Sequence, residues 1–190
     1  IAIVHEPAEE RFSITIESRA EIPRAGILAR VKHMLDLDAD DHALTALAKD
    51  PLLGPMIARR PGLRTPGAWE PFELAMRAVL GQQVTVEAAR QLGGKLAEIC
   101  GQKVTLRKKA PALLHAFPTA RQVADADLSR LGMPESRRRT LRAIAEAAVA
   151  DPALFEKGKT LDETIARLRS IKGIGDWTAH YIALRAVREP

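Results

Sequence analysis

Apolar residues recur at helical spacing through most of this chain and alternate with polar ones only at its start. Residues 1–5 and 11–18 alternate as a pleated surface does and read as two strands that can pair as a hairpin. Two strands cannot make an independent sheet. Pro23 is placed to open a helix with apolar positions Ile27, Leu28, Val31 and Leu35. From Asp41 onward every element the pattern predicts is a helix. Breaks fall at Asp50-Pro51, Arg60-Pro61-Gly62, Thr65-Pro66-Gly67, Gly93-Gly94 and Gly101, although Gly93-Gly94 can also sit inside a helix as a close-packing point. The expectation is a mainly α protein, with a compact helical bundle from about residue 44 to residue 188.

The densest pattern lies near the end. Thr160-Leu161-Asp162-Glu163 has the form of a capping box, in which Thr160 bonds a free backbone N–H and Glu163 reaches back. Leu161, Ile165 and Leu168 then share one helical face, and so do Trp177, Tyr181 and Leu184 further on. Between the two runs stand Gly173 and Gly175, separated by one apolar residue. Helices joined so tightly need a turn that accepts positive φ and close approach, which glycine supplies. The second helix then begins with unpaired N–H groups near Lys172, an arrangement that suits an anion such as phosphate. An ordinary helical hairpin would also fit a bare Gly-x-Gly.

The full string Gly173-Ile174-Gly175-Asp176-Trp177-Thr178-Ala179-His180-Tyr181 is more specific. It resembles the helix–hairpin–helix of the DNA base-excision glycosylase superfamily, in the form found in the 3-methyladenine (alkylated-base) DNA glycosylase II branch. Ala78-Val79-Leu80-Gly81-Gln82-Gln83-Val84-Thr85 is similar to a Leu-Gly-Gln-x-Val-Ser/Thr stretch of the same branch. The resemblance implies a helical glycosylase bundle over residues 44–190, with the hairpin at about 160–187. Residues 1–43 would be the remnant of an α/β N-terminal domain.

Composition is compatible with this. A chain of 190 residues with 46% hydrophobic residues can bury a sizeable core. It has no apolar run long enough for a bilayer and no signal-peptide pattern, so a soluble cytoplasmic protein that does not engage membranes is expected. The lone Cys100 rules out disulfides within the chain and a Cys-ligated iron–sulfur cluster; a buried small apolar role suits it. Five scattered histidines show no metal-ligand spacing. The net charge of +5 is unevenly spread: residues 1–50 hold six Lys/Arg against ten Asp/Glu, and residues 101–150 hold ten against four. Arg137, Arg138, Arg139 and Arg142 form one basic cluster, and Lys103, Arg107, Lys108 and Lys109 another. Either can be a solvated helix face or part of a polyanion surface.

The resemblance assigns roles to individual residues. Trp177 and Tyr181 would line the pocket for a base flipped out of the duplex, where an electron-rich ring attracts a cationic alkylated purine. Core packing is the alternative at this spacing. Gln83 would be the wedge that fills the vacated space, with helix capping as its alternative. Lys172, Gly173, Gly175 and Thr178 would hold a DNA phosphate, aided by a monovalent cation (Na or K) on the backbone carbonyls of Arg169, Ile171 and Gly173. No other cofactor is implied. Trp177 stands where strand-nicking relatives carry a lysine, which implies a monofunctional enzyme that acts with water.

The family's catalytic aspartate would lie beyond Pro190, so no catalytic residue is assigned in this chain, and the 190 residues as they stand are expected to be inactive. Asp176 instead reads as the N-cap of the second hairpin helix. The expected activity is excision of alkylated purines of the 3-methyladenine type from double-stranded DNA, by a monomer. A non-catalytic DNA-binding module and the glycosylase-like half of a methylation-responsive regulator are the alternatives.

Overall fold

The computed structural model of the chain describes residues 1–18, 21–39, 42–60, 62–105 and 114–188. Strand β1 (Ala2–Glu6) pairs antiparallel with β2 (Arg11–Thr15), in a register running from Ala2↔Thr15 to Glu6↔Arg11. The second strand stops earlier than the alternation suggests, because the ladder ends where β1 stops offering partners. Glu6 closes the hairpin by accepting from Arg11 Nε and Ser13 Oγ, each at 2.7 Å. Helix α1 (Arg24–Leu35) starts directly after Pro23, as the sequence predicts, yet it buries only Val31 among its apolar positions. Two short helices follow, α2 (His42–Leu47) and α3 (Gly54–Ala58).

The core belongs to the elements after residue 70. Helix α4 (Pro71–Leu80) opens on a proline, which suits a first-turn position, and buries Phe72, Ala75, Met76, Ala78, Val79 and Leu80. It packs against α5 (Val86–Cys100), α7 (Glu135–Ala150) and α9 (Asp176–Ile182). Helix α6 (Ala120–Asp125) lies along α7, and α8 (Leu161–Arg169) along α9. The last helix widens into π-type turns over Ala183–Val187. Met76, Leu80, Leu96, Leu141, Ile144 and Leu168 are fully buried in one cluster. Truncating any of the leucines among them to alanine would cost about 2–5 kcal/mol.

Gly93-Gly94 does not break the chain; it lies inside α5. A side chain at Gly93 would press on the Arg77 guanidinium, 2.8 Å away, which pairs with Glu73 and sits 5.3 Å over the Phe117 ring. Among the described residues, the all-helical expectation beyond Asp41 has one exception. Lys103 and His115 form an isolated antiparallel bridge, with Val104 N–H donating to Leu114 O at 2.9 Å and Ala116 N–H to Gln102 O at 2.8 Å. Cys100 is half-buried against the core, and burial raises its thiol pKa.

An irregular strap over residues 64–70 ties α1 to the end of the last helix. Gly67 N–H donates to Met34 O and Ala68 N–H to Arg185 O, both at 2.9 Å. Among the described residues, no helix is long and apolar enough to cross a membrane.

Candidate nucleic-acid interface

Two helices and a tight turn form the hairpin foreseen in the sequence. Thr160 caps α8, its Oγ1 accepting from Glu163 N–H at 3.2 Å. The reciprocal half of the capping box is displaced by one residue: Glu163 Oε2 accepts from Lys159 N–H at 2.9 Å, not from Thr160. Ile171 and Ile174 point into the core and anchor the turn between them. The two glycines are not equivalent. Gly173 has φ +94°, and a Cβ there would land on the Thr140 side chain of α7, so only glycine fits. Gly175 has an ordinary backbone, φ −87°, and open space around its Cα.

Asp176 is not the N-cap. Gly175 holds that position, and Asp176 is the first helical residue, its carboxylate 3.1 Å from Arg169 Nη1. Lys172 is exposed beside the turn. Thr178, matched to the phosphate-binding set, is buried, and its hydroxyl accepts from Gln82 Nε2 at 3.1 Å. Its side chain therefore faces the protein, which leaves only its backbone N–H, in the first helical turn, for an anion. Of the three carbonyls matched to a monovalent cation, that of Ile171 already accepts from Ile174 N–H at 3.0 Å. Among the described residues, no cluster of His, Cys, Asp or Glu could hold a metal ion.

Trp177, Tyr181 and Leu184 do share a face of the last helix, but of the three only Tyr181, partly buried, packs against the core. The core receives Thr178, Ala179, Ile182, Ala183 and Ala186, whereas Trp177 is 70% exposed and Leu184 37%. The small residues that let this helix pack close carry little hydrophobic signal, so the periodicity points to the larger outward-facing side chains. Trp177 and Tyr181 stack, with ring centroids 5.3 Å apart and planes 10° from parallel. Arg185 lies 5.5 Å from the Tyr181 centroid, and its Nη1 donates to the phenol oxygen at 3.3 Å. Tyr181 is thus engaged by Trp177 and Arg185, and the exposed indole is the surface left for a ligand.

Across from the indole, the turn after α4 carries Gln82 and Gln83. Gln83 is exposed and left-handed, φ +54°, so it projects from a sharp corner. Gln82 turns inward, and neither amide caps a helix. Between the two walls lies an open cleft of about 680 Å³, lined by Arg77, Gln82, Gln83, Arg137, Trp177 and Tyr181 among others. Its described lining holds two arginines and neither a carboxylate nor a lysine.

The basic clusters divide in the same way. Arg138 donates to Ser129 O at 3.0 Å and pairs with Glu135, and Arg142 donates to Ala124 O and Ala126 O at 2.9 Å each. These two arginines fasten α7 to the corner after α6. Arg137 reaches the cleft, where its Nη1 donates to Gln82 O at 2.8 Å. Arg139 stays exposed, 3.9 Å from Glu135. Lys103 is exposed within the isolated bridge, and Arg107, Lys108 and Lys109 lie outside the described residues. The parts played by Arg77 and Arg185 are not legible in the sequence, where Arg137 stands out only as one of a basic cluster. Arg137 acts across 55 residues, and Arg77 and Arg185 each through one particular ring, which spacing alone does not reveal.

Residues 1–70 match the AlkA N-terminal domain family. The chain is 38% identical over 192 residues to a Mycobacterium tuberculosis (strain H37Rv) protein named probable bifunctional transcriptional activator/DNA repair enzyme AlkA, covering 100% of this chain and 38% of that one. It is 31% identical over 188 residues to DNA-3-methyladenine glycosylase 2 of Escherichia coli (strain K12), covering 97% and 64%. The chain thus spans less than two thirds of either relative's length. In fold it superposes on a 3-methyladenine DNA-glycosylase from Archaeoglobus fulgidus with a TM-score of 0.73, at 23% identity, over 95% of this chain and 62% of that one.

Proposed function

We propose, for a chain that belongs to the AlkA-like branch of the helix–hairpin–helix DNA glycosylases, that it forms the base-receiving and DNA-bending core of an enzyme removing alkylated purines from duplex DNA. The observation that carries this reading is the exposed indole of Trp177, backed by Tyr181 and faced across the cleft by the left-handed, exposed Gln83. An exposed tryptophan propped in place by a second ring is an unusual use of apolar surface unless something stacks on it.

The steps follow from those two walls. The hairpin backbone around Gly173 and Gly175, with Lys172, holds a phosphate of the target strand. A monovalent cation on the carbonyls of Arg169, Ile171 and Gly173 would add local positive charge at that turn. Gln83 enters the helix as the nucleotide swings out, its amide bonding to the base left without a partner. A damaged, weakly paired base is the least costly to extrude. The base then lies on Trp177, whose electron-rich face favours an alkylated, cationic purine. Water completes hydrolysis of the glycosidic bond, because no amine at Trp177 can form a Schiff base and the described lining holds no lysine. Hydrolysis also needs a carboxylate near the sugar, so the activity is proposed for the whole protein.

The test is release of 3-methyladenine or 7-methylguanine from methylated duplex DNA by the whole protein, with strand nicking scored separately. Base release without nicking is expected. No release alongside intact duplex binding would replace this reading with a non-catalytic DNA-binding module. A second reading, the glycosylase-like half of a methylation-responsive regulator, draws on the mycobacterial relative, whose name includes transcriptional activator. Methylation-dependent activation of a promoter by the whole protein would establish it.

A further inference from the structure

Gln82 is held by three parts of the fold at once. Its backbone N–H donates to Val79 O at 3.2 Å, its carbonyl accepts from Arg137 Nη1 at 2.8 Å, and its amide Nε2 donates to Thr178 Oγ1 at 3.1 Å. Arg137 stands in the first turn of α7 and Thr178 in the first turn of α9. The two side-chain bonds therefore fix the corner after α4 against both helices that frame the cleft. The positions matter because of what comes next in the chain. Gln83 follows Gln82, and Trp177 precedes Thr178, so a bond between the inner residues sets the spacing of the outer ones.

A corner that presents a left-handed glutamine outside regular structure would otherwise be free to swing. Left-handed backbone at a non-glycine residue persists only where its surroundings hold it. The 3.1 Å bond ends on the hydroxyl of Thr178, a residue only 4% exposed, where water competes poorly.

We infer that Gln82, clamped between Arg137 and Thr178, is a positioning residue that holds Gln83 at a fixed distance from Trp177, so that insertion into the duplex and capture of the base occur together. This rests on the reading of Gln83 as the wedge. Gln82 itself touches no reacting atom.

The experiment uses the whole protein and a duplex with 2-aminopurine next to a target nucleotide, whose fluorescence reports local unstacking in stopped flow. Gln82→Leu and the nearly isosteric Thr178→Val should each slow unstacking by about tenfold to a hundredfold, the loss expected of a small misplacement. Equilibrium affinity of the Gln82→Leu protein for undamaged duplex should stay as in the parent. Thr178→Ser, which keeps the hydroxyl, should restore the parent rate. The deciding comparison is with Gln83→Ala: if Gln82 acts only through Gln83, Gln82→Leu/Gln83→Ala should be no slower than Gln83→Ala alone.

Additive losses in the double variant, or unstacking at the parent rate in Thr178→Val with its melting temperature unchanged, would overturn the clamp. So would a parent that binds without any fluorescence change. Base release from methylated DNA, followed in parallel, separates this from the broader proposal: a parent that unstacks the duplex but releases no base refutes the enzyme and not the clamp.

Discussion

The Asp36 carboxylate and the Arg188 guanidinium form an ion pair that joins the end of α1 to the end of the last helix, 152 residues later in the chain. Asp36 is 8% exposed and left-handed at φ +56°; its second oxygen accepts from Thr65 N–H at 3.1 Å, while Arg188 donates to Thr65 O at 2.7 Å. One carboxylate, one guanidinium and one peptide unit thus lock the strap over residues 64–70 between the two helices. The same helix carries Trp177, so the contact extends from the N-terminal elements to the helix that frames the cleft.

Asp36→Ala should destabilise the protein by about 3 kcal/mol, because it leaves a mostly buried guanidinium without its counter-charge and Thr65 N–H without an acceptor. Arg188 keeps some solvent exposure and its bond to Thr65 O, which favours the low end of the range for broken buried pairs. Denaturant unfolding read by intrinsic fluorescence gives the number. A change below about 0.5 kcal/mol, the scale of an ordinary surface substitution, would mean the pair holds nothing together.

His33 lies at the same junction and makes stability depend on pH. Burial, and then the nearby Arg188 charge, lower its pKa below the ordinary 6.5, outweighing the opposing pull of the backbone at Arg185 and Ala186. The unfolded chain therefore takes up a proton at a pH where the folded one does not. His33 contributes stability that is present above about pH 6.5 and is lost as pH falls through the lower folded value. Thermal melts should show a midpoint that drops between pH 7.5 and pH 5.5, and His33→Gln should flatten that slope. An unaltered slope in the variant would remove His33 from the account.

Much of this architecture is legible in the sequence, because prolines and glycines punctuate helices whose apolar spacing is regular. Pro23, Pro71 and Pro134 each stand at a helix start, and Gly173 occupies a turn that only glycine can make. What misleads is a face rather than an element. Trp177, Tyr181 and Leu184 have the period of a core stripe, and only the packing of Thr178, Ala179 and Ile182 reveals that Trp177 and Leu184 look the other way while Tyr181 borders the core. Charge is equally ambiguous in one dimension: among four clustered arginines, Arg138 and Arg142 bond backbone carbonyls and Arg137 reaches the cleft. Contacts such as Gln82 to Thr178 join residues 96 apart and follow from the fold, not from local spacing.

Trp177→Ala should leave stability nearly unchanged, since its side chain is 70% exposed, while weakening base capture. Stacking on an aromatic ring is worth about 1–3 kcal/mol per base, so excision of 3-methyladenine or 7-methylguanine by the whole protein should fall by about fivefold to a hundredfold. Duplex affinity should fall much less, because phosphate contacts supply most of it. Equal losses in excision and in binding to undamaged DNA would place Trp177 on the backbone-contacting surface instead of in the base site.

The two hairpin glycines give a test that separates folding from DNA contact. Gly173→Val forces a β-branched residue to φ +94° and onto Thr140, so it should destabilise the protein by more than about 2 kcal/mol and weaken DNA binding only as a consequence. Gly175→Val meets open space at φ −87°, so the folded state should tolerate it within about 1 kcal/mol. If the backbone there approaches a phosphate, the added side chain stands between them, and affinity should drop alike for damaged and undamaged duplexes. The slope of log affinity against log salt should also become shallower, since fewer counterions are released when a phosphate contact is lost. Wild-type affinity and salt slope in a folded Gly175→Val protein would take the hairpin turn out of the DNA interface and leave Trp177 and Gln83 as the contacts to account for binding.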